Sequence, residues 1–295
     1  MGTSEYVAVA SFRERRLLEE CLAGLAPEAE ARGAAVVVAR SGDEAERLAL
    51  AQAHPGVRFV GAPAGTSLPE LRGLALEACA GDRVALTEDH CVPAPGWLAG
   101  LEAGHAEGAL VVGGAMGNRH TGRALDCGAY FAEYGFFAPG AARAGGSVAP
   151  TGANVSYRQP LAGEIAGWFR AGLWENVANQ RLRERGTEVR FQPEALVLQN
   201  HRYRLGAFCR DRFEHGRAFA RRRLVDEGGG RRWPYLAFTP VLPLLLLWRV
   251  AAAARLGQEA AFRRALPFTA LFLSAWAVGE AAGYARGPAR ETAGA

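Results

Sequence analysis

Residues Val84–Leu98, VALTEDHCVPAPGWL, set an apolar run against three consecutive polar, metal-capable side chains, Glu88, Asp89 and His90. A Pro-rich turn and a Trp-Leu pair follow at once. The apolar run has the length and content of a buried strand, so the triplet falls where that strand ends. Two readings follow: the three side chains terminate and solvate a strand, or they hold something charged.

The strand that ends at this triplet belongs to a regular alternation. Tyr6–Ala10, Ala34–Ala39, Val57–Val60 and Arg83–Leu86 read as strands. Glu14–Arg32, a segment running to about Ala53, and Leu68–Ala80 read as helices; the first carries Leu17, Leu18, Cys21, Leu22 and Leu25 at helical spacing. Such alternation predicts a mostly parallel sheet with helices on both faces. Ligands of open α/β sheets bind outside the carboxyl ends of the strands, and Glu88-Asp89-His90 lies just past such an end. Beyond a further strand at Leu110–Gly114 the pattern loosens. Gly117–Pro150 is rich in Gly, Ala and aromatics, Glu164–Arg185 reads as helical, and Val189–Phe191 and Ala195–Leu198 read as strands.

A chain of 295 residues with 49% hydrophobic content can bury a sizeable core, as one large domain or a domain with an appendage. Every cationic side chain is Arg, which with the Ala and Gly excess suggests a GC-rich bacterial genome. The net charge of +4 is uneven: ten Arg lie between Arg202 and Arg232 against Asp211, Glu214, Asp226 and Glu227. A basic stretch of this kind attracts phosphates of lipid head groups, nucleic acid or a diphosphate ligand, or else forms a solvated helix face. Aromatic stacking motifs are missing, which argues against nucleic acid. No G-x-G-x-x-G follows the first strand, which argues against dinucleotide oxidoreduction. Five scattered cysteines without CxxC spacing argue against a disulfide framework and fit a reducing compartment. The N-terminus lacks a signal-peptide pattern.

Composition changes after Arg232. Trp233–Trp248 is sixteen residues without a charge and Ala265–Gly279 is fifteen more. Both are short of the roughly 20 residues a spanning helix wants. Arg-rich sequence precedes the first run and Arg255, Arg263 and Arg264 lie between the two, so two spans would conflict with the positive-inside tendency. Membrane contact is the favoured expectation, through spanning segments or through a hydrophobic hairpin that enters and leaves on one face; a soluble helical pair packed on the main domain is the alternative.

The pieces together resemble a family 2 glycosyltransferase of the GT-A fold over roughly residues 6 to 224. ACAGDRVALTEDHCVPAPGWLAGL (78–101) resembles the family's Ala-x-Gly-Asp, apolar strand, acidic DxD-type triplet and Pro-x-Pro-Gly-Trp-Leu. GANVSYRQ (152–159) resembles its Gly-x-Asn-x-x-x-Arg segment, LWENVANQRLRERG (173–186) its Glu-Asp…Arg-Leu…Gly helix, and VLQNHR (197–202) its strand-then-His element. AWAVGEAAGYARG (275–287) is similar to a tail of membrane-associated members. The resemblance implies a GT-A domain over residues 1–224, an α/β fold with a mostly parallel sheet. Residues 225–295 would then be a basic linker and a C-terminal hydrophobic helical hairpin.

By that resemblance Glu88 and Asp89 face the nucleotide ribose and metal, with Ser11, Arg13 and Arg72 also on the donor side. His90 replaces the usual last Asp as metal ligand, and His201 joins Asp89 and His90 as a candidate ligand. A divalent cation that neutralises a leaving diphosphate is commonly held by one or two protein groups plus phosphate oxygens, so a short motif suffices. Both Mg2+ and Mn2+ would serve, and an imidazole ligand favours Mn2+. Glu175, in register with Arg181-Leu182, falls where the family has its catalytic base, with the role of deprotonating an acceptor hydroxyl in an inverting displacement. Trp174, Asn154 and Arg158 would line the acceptor side. Arg217 and Arg221–Arg223 would meet diphosphate or anionic lipid.

The sequence departs from the family at two strand ends. Ala39-Arg40 stands where members usually carry Asp-Asp or Asp-Asn, with Asp43 the nearest acid, and Ala10-Ser11-Phe12-Arg13 replaces the usual Pro-Thr-Tyr-Asn. The resemblance implies transfer from a nucleotide-diphosphate sugar, and the basic stretch with the hydrophobic tail points to a lipid-linked or cell-envelope glycan acceptor at the cytoplasmic face of the bacterial inner membrane. A polyprenyl-phosphate sugar donor and a degenerate membrane scaffold or sugar-binding subunit are the alternatives.

Overall fold

The computed structural model describes residues 5–140, 149–226 and 230–287. The Val- and Ala-rich runs near the N-terminus form β1 (Glu5–Ser11), β2 (Ala35–Ser41), β3 (Val57–Ala62) and β4 (Arg83–Glu88), all parallel and adjacent in the order β3-β2-β1-β4. Parallel neighbours need long crossovers. These are α1 (Arg15–Arg32), α2 (Glu44–Ala53) and α3 (Leu68–Glu77). Local chemistry starts two of them: Asp43 accepts the Ala45 amide at the head of α2, and Ser67 and Glu70 form a capping box on α3. The chain winds outward from β1 to β3, then returns to the other side of β1 for β4. That reversal opens a crevice at the carboxyl ends of β1 and β4, where open α/β sheets bind ligands.

The sheet continues through β7 (Asn154–Arg158), β6 (Val111–Asn118), β8 (Val189–Gln199) and the short β5 (Cys91–Pro93). β7 runs antiparallel to both β4 and β6, and β5 antiparallel to β8, so the sheet is mixed. Between β5 and β6 lies α4 (Trp97–Ala106). The expected single helix over Glu164–Arg185 is two, α6 (Leu161–Arg170) and α7 (Glu175–Glu184). Gly172 separates them at φ +77°, a left-handed conformation that glycine adopts without penalty. Conversely, the two short strands expected around Pro193 are one strand. Its register against β6 slips from Gly114↔Gln192 to Ala115↔Leu196, since Pro193 has no amide to give the ladder.

His105, on α4, is buried between the Ala109 carbonyl at 2.8 Å and Ser156 Oγ at 2.9 Å. Burial disfavours the imidazolium and holds its pKa below the ordinary value. The folded state therefore takes up fewer protons than the unfolded chain below about pH 6.5. Stability contributed by the neutral imidazole is complete above that pH and declines as pH falls toward the depressed folded-state value.

By contact, the described residues up to Arg119 and from Phe137 to His201 form one unit. The second comprises His120–Phe136 and the chain from Arg202. It contains α5 (Ala124–Tyr134), α8 (Leu205–Asp226), α9 (Arg232–Phe238), α10 (Leu242–Ala254) and α11 (Glu259–Arg286). The boundary expected near residue 224 thus differs from the observed division, because α8 packs along α11 at backbone distance. A Cβ on Gly279 would sit 2.1 Å from the Phe213 carbonyl oxygen, and one on Gly216 would sit 2.2 Å from that of Trp276. Small residues make this approach possible.

Two stability measurements test this packing. Gly279→Ala should destabilise the second unit by about 1–3 kcal/mol through forced separation of α8 and α11; a urea or thermal melt equal to wild type contradicts the close crossing. His105→Asn should flatten the loss of stability as pH falls below about 6.5; an unchanged pH slope contradicts the assignment.

Candidate active site

The carboxyl ends of β1 and β4 are joined through one carboxylate. Asp89, fully buried, accepts with Oδ2 from Ser11 Oγ (3.0 Å) and from the amides of Phe12 and Arg13 (2.7 Å each). Its own amide donates to the Ala10 carbonyl at 3.1 Å. Burial alone would raise the Asp89 pKa, but His90 and the Phe12 and Arg13 amides outweigh it and hold the group below the ordinary carboxylate range. The second oxygen, Oδ1, is buried without a hydrogen-bond partner; His90 Nδ1 lies 3.6 Å away, too far for a hydrogen bond.

A second knot involves Arg72, on α3. Its buried guanidinium gives Nη2 to Glu88 Oε1 and Nη1 to Glu175 Oε2, each at 2.5 Å. Glu88 ends β4, and Glu175 opens α7 and is partly exposed. Burial works against the guanidinium charge, yet the carboxylates of Glu175 and Glu88 raise the Arg72 pKa well above its usual value. Gly152 makes room for this side chain, since a Cβ there would meet the Arg72 guanidinium at 2.3 Å. The Glu88 and Glu175 expected on the donor and catalytic sides are thus brought onto one cation from residues far apart in sequence.

Arg40 occupies the strand end that the family resemblance assigns to an acid. It is buried and gives Nη1 to Ser11 Oγ at 2.7 Å and to the Arg13 carbonyl at 3.2 Å. Glu46 on α2 pairs with it at 2.9 Å. Asp43 faces α2 as its cap, so the nearest acid to Arg40 in space is Glu46. Sequence reasoning missed this pair. Its only signal is the six-residue spacing across a turn, which does not distinguish it from other Arg-Glu pairs on the chain.

His90 is buried beside both carboxylates, with Nδ1 3.6 Å from Glu88 Oε2 and from Asp89 Oδ1, and its ring meets Phe12 edge-on. His201 stands two residues past β8, beside Asn200, whose amide donates to the His90 carbonyl at 2.8 Å. Among the described residues no cluster of three or more His, Cys, Asp or Glu forms a complete metal cage. A cation shared with a diphosphate needs fewer protein groups. The orphaned Asp89 Oδ1 with an imidazole nitrogen beside it fits such a partial site.

The acceptor-side expectations need correction. Asn154 is fully buried; its Oδ1 accepts from Trp97 Nε1 and its Nδ2 donates to the carbonyls of Ala115 and Ala195, all at 2.8 Å. That makes it a strut between β7, β6, β8 and α4, with its hydrogen-bonding capacity directed inward. Arg158 pairs across the sheet with Arg83, the first residue of β4. At about 3.3 Å per residue this places its backbone roughly 16 Å along the strand from Glu88. The antiparallel direction of β7, unread in the sequence, carries it to the wrong end. Trp174 is the N-cap of α7 and 40% exposed, next to Glu175 as expected. Arg217 and Arg221–Arg223 lie on α8 in the second unit.

A mixed sheet of this order with helices on both faces and an acidic triplet at its winding reversal is a GT-A-type fold. Residues 4–218 match the family model described as glycosyltransferase like family 2, and the chain belongs to that family of glycosyl-transferring enzymes. Among solved structures it is similar to a mannosyltransferase from Pyrobaculum calidifontis in complex with GDP-Man and Mn2+. That match has 18% identity and TM-score 0.55 over 94% of this chain and 86% of the other. A further match is glucosyl-3-phosphoglycerate synthase from Mycobacterium tuberculosis, in complex with Mn2+, UDP-glucose and phosphoglyceric acid. It has 16% identity and TM-score 0.43 over 68% of this chain and 73% of the other. No curated sequence gives a significant match.

Removing the cation of the Arg72 knot leaves two carboxylates facing one another. Arg72→Gln should cost about 3–5 kcal/mol of stability, and adding Glu88→Gln should recover part of it. Strict additivity of the two changes in chemical denaturation would contradict the bridged geometry.

Proposed function

We propose that the protein is a metal-dependent inverting glycosyltransferase. It moves a sugar from a nucleotide-diphosphate donor to a hydroxyl of a lipid-linked or cell-envelope glycan, at the cytoplasmic face of a bacterial inner membrane. The observation that carries the reading is the Arg72 bridge, which holds Glu175 within one guanidinium of Glu88 at the β1/β4 crevice. Glu175 accepts the proton of the acceptor hydroxyl as that oxygen attacks the anomeric carbon opposite the diphosphate. Arg72 fixes the direction of that carboxylate, and Trp174 offers the apolar face of a sugar an indole beside it.

On the donor side, Asp89 orders the loop Ser11–Arg13 through its Oδ2, leaving Glu88 for the nucleotide ribose. Asp89 Oδ1 and His90, with His201 as a further ligand, would hold Mn2+ or Mg2+. The cation supplies Lewis-acid neutralisation of the departing diphosphate. The mannosyltransferase structure with GDP-Man and Mn2+ supports this choice of donor and metal class. The basic stretch Arg202–Arg232 and the apolar helices after it support the membrane-linked acceptor; α11 is long and apolar enough to cross a bilayer. One observation favours a polyprenyl-phosphate sugar donor instead: Arg40 and Glu46 close the strand end at which an acid would read a nucleoside.

Glu175→Gln should retain donor affinity by calorimetry while lowering transfer by about 10²–10⁴-fold. A variant that turns over at the wild-type rate removes Glu175 from the role of base.

A further inference from the structure

The chain between Gly230 and Gly287 carries seven Arg against Glu259 and Glu280. Glu280 is buried, hydrogen-bonded to Trp276 and Tyr284. On this cationic segment α9 and α10 present an open apolar face. Trp233 and Phe238 are exposed on α9; Val241, Leu244, Leu245 and Trp248 follow at i, i+3, i+4 and i+7 along α10. Trp233, Leu244 and Trp248 are 66%, 69% and 68% exposed. The opposite face of α10, with Leu246, Leu247 and Val250, packs inward. One inward face is enough to fix α10 in its unit, so the second apolar face has no packing role there.

We propose that this α9–α10 face is a membrane-docking surface that lies in the headgroup region of an anionic bilayer without crossing it. Indole rings stand near both ends of the face, and Trp favours the membrane–water interface. Arg231, Arg249 and Arg255 are exposed on the same segment, where they complement anionic head groups. α10 has thirteen residues, about 20 Å of helix, against a hydrocarbon core of about 30 Å. It meets α9 at 65°, which suits a surface-lying pair better than a straight span.

α11, with 28 residues, has the length to cross but is locked into its own unit. Besides the Gly216 and Gly279 contacts, a Cβ on Gly283 would lie 2.5 Å from the Arg217 carbonyl oxygen, and Arg212 stacks over Trp276 at 4.5 Å. Insertion of α11 would drag the arginines of α8 into hydrocarbon. The surface deepens the membrane-associated reading given above and rests on it, but not on the transfer chemistry.

The full chain is floated with vesicles of phosphatidylcholine, with and without a phosphatidylglycerol fraction. Wild type should float with the anionic vesicles, less so as salt is raised. Leu244→Glu/Trp248→Glu should lower vesicle affinity by about tenfold or more. Both side chains are exposed, so the thermal melt should stay at the wild-type value; if the double variant does not fold, Trp248→Glu alone is read in the same way. Equal flotation of variant and wild type overturns this surface while leaving membrane association standing. Failure of the wild type to float with either vesicle overturns both, and leaves donor binding and transfer to their separate assays.

Discussion

One carboxylate oxygen, Asp89 Oδ2, gathers the Ser11 hydroxyl and the amides of Phe12 and Arg13, and so ties the end of β1 to the end of β4. Backbone amides at a strand end are strong donors that need partners when buried. An ionised acid supplies one acceptor for two of them and for the Ser11 hydroxyl, at charge-assisted strength. With that closure in place, Ser11 becomes the acceptor for Arg40, Arg40 is directed at Glu46, and the crevice at the winding reversal acquires fixed walls. The Arg72 bridge does the same for the other wall, fixing Glu88 relative to Glu175, which lies 103 positions after Arg72 in the sequence.

Much of this was legible in the sequence. The four parallel strands follow from continuous apolar runs separated by helical periodicity, and the placement of Glu88-Asp89-His90 past a strand end follows from the same pattern. The antiparallel β7 was not legible: NVSYR is buried on all but its last residue and shows no alternation, so its direction is set by pairing with β4 and β6. That single unread direction misplaces Arg158. Asn154 was misassigned for a different reason. A buried Asn with three protein partners and one facing a ligand look identical in a one-dimensional motif, and only the positions of Trp97, Ala115 and Ala195 decide it. The Arg40–Glu46 pair was invisible because a charge that departs from a family pattern announces the departure without its new partner.

The second unit shows the same limit on the scale of helices. Two uncharged runs suggested a hairpin, yet the second run is ordered by glycine-mediated contact with α8, a helix too charged for the pattern to join it to a hydrophobic tail. Apolar composition measures what a helix can bury; it does not say whether protein or lipid does the covering.

Whether the triplet at the end of β4 holds a charged donor is tested most directly by a thermal shift with Mn2+ and a panel of nucleoside-diphosphate sugars. A ligand that binds only the folded chain raises the melting temperature by mass action. The expected result is a Mn2+-dependent rise with one class of nucleotide, lost in His90→Ala and retained in Arg158→Ala. No shift with any nucleotide, or a shift that persists unchanged in His90→Ala, would contradict the account and leave Glu88, Asp89 and His90 as a buried structural cluster.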